Sequence, residues 1–84
     1  MAEPLQIRPA AIPGQPDRVA LCLGDVAVAH AVREEVARLV ARGWAARMDL
    51  RRRLPPHSMP GEDRDHWKRG WDRANEYERR AVAA

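Results

Sequence analysis

The sequence predicts a mainly α fold, in which two amphipathic helices form a hairpin joined by a proline-rich linker. Apolar residues recur every four positions along 28–48, and a second stripe at helical spacing runs along 67–81. Between the stripes, three prolines and a glycine stand within 55–61 and end any helix there. We therefore expect one helix over about 25–52 and another over about 62–81.

The first 17 residues are expected to form an extended or disordered arm. Prolines stand at positions 4, 9, 13 and 16, and this density prevents a regular helix and favours polyproline geometry. The β-prone run 18–23 follows and ends at Gly24-Asp25. No partner strand is evident, so two interpretations stand: a short strand over 18–23, or the beginning of the helical region. A single small helical domain is expected over 18–84.

Helix one is expected to begin after Asp25, whose side chain is a favourable N-cap. The members of its apolar stripe stand four positions apart, at Val28, Val32, Val36, Val40, Trp44 and Met48. Such a long face either packs against helix two or buries against a protein partner or a second copy of the chain. The four valines are therefore the candidate surface for a homodimer or a protein partner.

Helix two has an acidic first turn and a basic last turn, and both complement the helix dipole. One of its faces carries Trp67, Gly70, Trp71 and Ala74. The chain has three tryptophans and no phenylalanine, so few other large side chains are available to build a core. We therefore favour core packing of Trp67 and Trp71 against helix one, with stacking on unpaired RNA bases as the alternative.

The positive charge of the chain lies in its second half. The 84 residues carry a net charge of +3, but residues 1–41 hold four arginines against five acids, whereas residues 42–84 hold eleven basic residues against seven acids. This asymmetry indicates a nucleic-acid partner for the C-terminal half. A solvated surface is the competing interpretation, because an arginine- and alanine-rich composition also arises from coding bias.

The single cysteine, Cys22, excludes an internal disulfide and favours a reducing compartment. The N-terminus lacks the pattern of a signal peptide, and the apolar stretch 19–32 is too short to cross a bilayer. We therefore expect a cytoplasmic protein with no membrane partner.

The sequence does not predict an enzyme. His30, His57 and His66 are scattered, without a cysteine partner or the spacing of metal ligands. Neither a glycine-rich phosphate loop nor a nucleophile motif is present in the sequence. We expect no catalytic residue, no cofactor, no metal and no small-molecule substrate.

Two motifs of the C-terminal half stand at a defined distance from each other. Arg42-Gly43-Trp44, followed by Ala46, lies on predicted helix one, and W-x-x-G-W-x-x-A lies on predicted helix two, with Pro55-Pro56 between them. The second motif consists of Trp67, Gly70, Trp71 and Ala74. Over residues 38–80 this arrangement resembles the ribosome modulation factor family, small bacterial proteins of two short helices that silence ribosomes in stationary phase.

The resemblance implies a non-enzymatic regulator of translation that binds RNA phosphates through a basic helical face. Members of the family bind the small ribosomal subunit near the 3′ end of its RNA and promote the pairing of ribosomes in hibernation. The motif residues from Gly43 to Ala74 would then be structural. The candidate RNA contacts are Arg42, Arg47, Arg51, Arg52, Arg53, Lys68, Arg69 and Arg73.

The chain also departs from the family pattern. Leu54-Pro55-Pro56 replaces the Cys-Pro-Tyr typical of the family linker, and the very basic N-terminal tail of the family is missing. The alternative is therefore a small protein-interaction module or dimeric adaptor, cellular or phage-type, without an RNA role. A DNA-binding helix pair ranks third, because the linker is longer than a helix-turn-helix connection.

Overall fold

The computed structural model describes residues 5–83 and shows an α+β fold. Its elements, in chain order, are β1 (Gln6–Pro9), β2 (Val19–Leu23), β3 (Val26–Ala31), α1 (Glu34–Met48) and α2 (Gly61–Ala83). The prediction of a mainly α fold is therefore wrong, and the error lies before α1. The hairpin predicted over 25–52 and 62–81 keeps its second helix but loses the first part of its first helix to the sheet.

The three strands form one antiparallel sheet with β2 in the centre. The run 18–23 is therefore a strand, and it has a partner on each side. Residues 6–9, predicted as part of a free arm, are one of these partners. Pro9 is tolerated there because β1 is an edge strand, where the proline does not interrupt a ladder on both sides. The first four residues of the predicted arm lie outside the described residues.

The connection from β1 to β2 explains Pro13. The backbone N–H of Gln15 donates to the carbonyl oxygen of Ile12 at 3.1 Å, and Gly14 has a φ of +79°. Proline at the first central position and glycine at the second are the residues that a type II turn requires. Pro13-Gly14 therefore turns the chain back toward β2.

The connection from β2 to β3 is a hairpin at Gly24-Asp25, where Gly24 has a φ of +63° and Leu23 pairs with Val26. Asp25 therefore belongs to a turn and does not cap a helix. The ladder also contains a bulge between Leu21 and Cys22, opposite β3. The helix predicted from residue 25 begins nine residues later, at Glu34 (34 − 25).

The four valines predicted as one helical stripe occupy three different environments. Val28 lies on β3, and Val32 lies between β3 and α1 with 55% of its surface exposed. Val36 and Val40 lie on α1 and are buried. The continuous valine face proposed for a homodimer or protein partner therefore does not exist, because half of it belongs to the core.

The fold has three layers, with α1 between the sheet and α2. Helix α1 contacts all three strands on one side, and α2 packs on its other side. The core between sheet and α1 consists of Leu21, Ala29, Ala31, Val36, Ala37 and Val40. Three of these six residues are alanines, and the buried tryptophans Trp44 and Trp67 lie outside this cluster.

Helix α1 ends at Met48, four residues before the predicted end (52 − 48). The N–H of Arg51 donates to the carbonyl of Ala46 at 2.9 Å, and the N–H of Leu50 donates to the carbonyl of Arg47 at 3.0 Å. These two bonds form a Schellman motif, whose turning residue has left-handed backbone angles and is usually glycine. Here it is Leu50, with a φ of +60°.

Candidate nucleic-acid interface

The motif glycines are points of very close approach between α1 and α2. A Cβ on Gly43 would lie 1.8 Å from the carbonyl oxygen of Trp67, and a Cβ on Gly70 would lie 1.8 Å from the carbonyl oxygen of Val40. Only glycine permits this distance. Each glycine Cα–H then faces a carbonyl of the other helix, a contact that recurs at helix–helix interfaces.

The two helices cross while running in the same general direction. Near the start of both, Val36 lines one groove together with Asp63 and His66. Further along, Val40 meets Gly70. Near the end of α1, Arg47 Nε donates to Asn75 Oδ1 at 3.0 Å, and the ring centroids of Trp44 and Tyr77 are 5.6 Å apart. Contacts that advance together along both helices exclude an antiparallel hairpin.

The linker makes this arrangement possible by returning along α2. The carbonyl oxygen of Arg51 accepts a hydrogen bond from Trp71 Nε1 at 3.0 Å, and Arg53 bonds Asp72. At the end of the linker, Arg64 donates to the carbonyl oxygens of Met59 at 2.8 Å and His57 at 2.6 Å. These bonds fix the path of the linker from the end of α1 to the start of α2.

The crossing is built on a repeat that sequence reasoning missed. Arg42-Gly43-Trp44 and Arg69-Gly70-Trp71 are the same tripeptide, 27 positions apart (70 − 43). The two glycines play reciprocal roles, since each faces the carbonyl three residues before the other. The identical tripeptides were the available signal, but their equivalence depends on helices that cross in the same direction.

Two of the three tryptophans are core residues. Trp44 is 2% exposed and Trp67 is 4% exposed, and Ala74 is fully buried beside them. Trp44 Nε1 is buried and has no hydrogen-bond partner among residues 5–83. Trp44 and Trp67 therefore cannot stack on a base without a large rearrangement, and they hold the helices together.

Trp71 is half-buried and is enclosed by groups of the protein. Besides the bond from its Nε1 to the linker, the guanidinium of Arg47 lies 5.7 Å from the centroid of its ring. The distance suits a cation–π interaction. Because Arg47 also bonds Asn75, this predicted RNA contact is already engaged within the fold.

Two further predicted contacts are engaged with acidic residues of α2. Arg53 forms a bidentate pair with Asp72, with N–O distances of 2.7 and 2.8 Å, and this hydrogen bonding raises the pKa of Arg53 above its usual value. Arg73 lies 3.7 Å from Glu76. The carboxylates of Asp72 and Glu76 therefore partly neutralise the positive charges of these two arginines.

The remaining predicted contacts of α1 and the linker surround one groove, which we call the arginine groove. It has a volume of about 320 Å³ and is lined by Arg42, Ala45, Ala46, Asp49, Arg51, Arg52, Leu54, Pro56 and Trp67. All three of its arginines are exposed. Among residues 5–83, no ion pair or side-chain hydrogen bond involves the guanidinium of any of them.

The arginine groove is suited to an anion. Three arginines and one acidic residue, Asp49, line it, and its other lining residues are apolar. Guanidinium forks match the geometry of phosphate and carboxylate oxygens and give charge-assisted hydrogen bonds. The other two predicted contacts, half-buried Lys68 and exposed Arg69, lie on α2 and do not line this groove.

The opposite end of α1 carries a second, acidic groove. It has a volume of about 260 Å³ and is lined by Arg33, Glu35, Val36, Leu39, Glu62, Asp63 and His66. The two acidic first turns meet there because both helices begin at this end of the molecule. We call it the acidic groove. From the sequence, Glu62 and Asp63 were explained only by the helix dipole.

Within residues 5–83, no three or more His, Cys, Asp or Glu side chains are grouped so as to hold a metal ion. Neither α1 nor α2 has an apolar stretch of the length needed to cross a membrane.

Comparison with protein-family models, with curated proteins and with solved structures found no match to this chain. The resemblance to the ribosome modulation factor family therefore stays a prediction based on the motif residues.

Proposed function

We propose that the protein is a non-enzymatic regulator that associates with ribosomal RNA in the cytoplasm, and that the arginine groove holds the RNA phosphates. One observation carries this proposal. Arg42, Arg51 and Arg52 converge on a single groove and make no ion pair with the described residues. Unpaired arginines on one surface form the electrostatic footprint of a nucleic-acid site.

The expected mode of binding is phosphate contact rather than base stacking. Trp44 and Trp67 are core residues, and Trp71 is covered by Arg47 and the linker. Phosphate contacts position a protein on RNA without reading its sequence. We therefore expect an affinity that depends strongly on salt and weakly on RNA sequence.

The motif shared with the ribosome modulation factor family supports the proposal indirectly. Gly43 and Gly70 set the crossing that brings the end of α1 and the linker against α2. This placement presents Arg51 and Arg52 beside Arg42. The motif residues therefore set the shape of the surface, and the arginines next to them bind the RNA phosphates.

The proposal predicts that Arg51→Ala/Arg52→Ala weakens co-sedimentation with ribosomes at low salt by about tenfold or more, since two phosphate contacts are lost. Folding should be unaffected, because both side chains are exposed and the carbonyl of Arg51, which binds Trp71, is retained. Arg79→Ala/Arg80→Ala removes the same charge from the exposed end of α2 and should bind nearly as the wild type does.

Failure of the wild-type protein to co-sediment with ribosomes, or to bind ribosomal RNA at low salt, would refute the proposed function. An equal loss in both double variants would leave net charge as the cause and remove the arginine groove from the account.

A further inference from the structure

We propose that the chain assembles head to tail with a second copy of itself, with the linker beside the arginine groove of one copy seated on the acidic groove of the next. This interaction goes beyond RNA binding and does not depend on it. The two surfaces lie at opposite ends of α1, about 20 Å apart along a helix of this length. They cannot meet within one chain, so a contact between them would join two molecules.

The charges of the two surfaces are complementary. The arginine groove presents three guanidinium groups against Asp49. The acidic groove presents three carboxylates against Arg33, which lies 3.4 Å from Glu35. Glu62 and Asp63 form no ion pair within residues 5–83. An excess of two positive charges therefore meets an excess of two negative charges, an arrangement that favours docking in this orientation.

Apolar groups accompany the charges on both surfaces. Leu50 is 84% exposed and Leu54 is 70% exposed, at the two ends of the run Arg51–Arg53. In the acidic groove, half-buried Leu39 lies beside Val36. The Schellman turn holds Leu50 at left-handed backbone angles and leaves its side chain in solvent. Burial of the two leucines against the next copy would add apolar contact to the ion pairs.

This contact joins two different surfaces, so it leaves a free surface of each kind after every step and gives a ring or a chain of copies. RNA phosphates and the acidic groove would compete for Arg51 and Arg52. Binding of RNA is therefore expected to release the copies from one another. In this way RNA would regulate the self-association of the protein.

Sedimentation equilibrium of the full chain, freed of nucleic acid, tests the proposal. We expect the mean mass of the wild type to rise above that of the monomer with concentration at low salt, and to return to it at high salt. Arg51→Glu/Arg52→Glu and Glu62→Lys/Asp63→Lys should each stay monomeric, because each places like charges across the contact. An equimolar mixture of the two should associate again, since every reversed groove then finds a complementary one.

Three results would overturn the proposal: a wild type that is monomeric at every concentration, a double variant that associates on its own like the wild type, or a mixture that stays monomeric. If a charge reversal prevents folding, as seen by circular dichroism, Arg51→Gln/Arg52→Gln and Glu62→Gln/Asp63→Asn replace the pair, and each should weaken association. The Glu62→Lys/Asp63→Lys variant keeps the arginine groove and should still bind RNA. Loss of self-association and loss of RNA binding are therefore distinguishable.

Discussion

The backbone at Leu50 is a residue-scale feature with a measurable effect on stability. Its φ of +60° lies in the region where a Cβ is unfavourable, by roughly 1–2 kcal/mol. Because 84% of the side chain is exposed, its removal loses little burial. The greater freedom of glycine in the unfolded state offsets part of the gain. We therefore expect Leu50→Gly to raise the free energy of unfolding by about 0.5–1 kcal/mol.

Urea denaturation measures this change, and Leu54→Gly is the matched control. Leu54 is also exposed but does not have a positive φ, so glycine there should leave the stability unchanged or lower it. If Leu50→Gly is no more stable than Leu54→Gly, the left-handed strain at residue 50 is not present in solution.

Individual residues also show what sequence reasoning can and cannot assign. The burial preference of Trp67 follows from the lack of other large side chains, and the structure buries it. The engagement of Arg47 with Asn75, or of Arg53 with Asp72, joins positions 28 and 19 residues apart in the chain. Only the tertiary arrangement separates these arginines from Arg42, which has no such partner among residues 5–83.

At the scale of elements, the crossing of α1 and α2 depends on its two glycines. Gly43→Ala or Gly70→Ala places a methyl group 1.8 Å from a backbone carbonyl oxygen, which cannot move as a flexible side chain can. The helices must then separate and lose contacts around Trp44 and Trp67. We expect each variant to lose about 3 kcal/mol of the free energy of unfolding.

Chemical denaturation gives this value, and Gly61→Ala provides the comparison. Gly61 is the first residue of α2, has no atom near the position of a Cβ, and does not have a positive φ. Alanine there should be neutral or slightly stabilising. Variants at 43 and 70 that unfold within about 0.5 kcal/mol of the Gly61→Ala protein would contradict the close crossing.

The sequence predicted α2 closely and α1 poorly, for reasons that lie in the pattern itself. Pro60 before the helix and the stripe from Trp67 onward define α2 as Gly61–Ala83, against a prediction of 62–81. For α1, spacing by four was misleading because residues four apart share a face in a strand as well as in a helix. Val28 and Val32 therefore matched a helical stripe while belonging to β3 and the segment after it.

The sequence contains turn signals that could have predicted the sheet. Pro13-Gly14 and Gly24-Asp25 are turn sequences, and each stands between short β-prone runs. As turns, they divide residues 6–31 into three strands. The prolines were instead interpreted as an arm, because proline density alone does not distinguish an extended tail from a turn between edge and central strands.

At the scale of the whole molecule, the charges of residues 42–84 are divided between two ends of the structure. Both helices begin at the acidic groove, and α1 ends at the arginine groove. This polarity requires helices that cross in the same direction, which in turn requires a linker that returns along α2. The sequence located the excess charge in residues 42–84, but a hairpin of antiparallel helices would have distributed it differently.

The central claim is that Arg51 and Arg52 hold RNA phosphates in the arginine groove. The most direct measurement is the salt dependence of binding to ribosomal RNA, for the wild type, Arg51→Ala/Arg52→Ala and the control Arg79→Ala/Arg80→Ala. Each phosphate contact contributes roughly 0.7–0.9 to the slope of log affinity against log salt. We predict a slope shallower by about 1.4–1.8 for Arg51→Ala/Arg52→Ala and unchanged for the control. Equal slopes in all three proteins would contradict the claim.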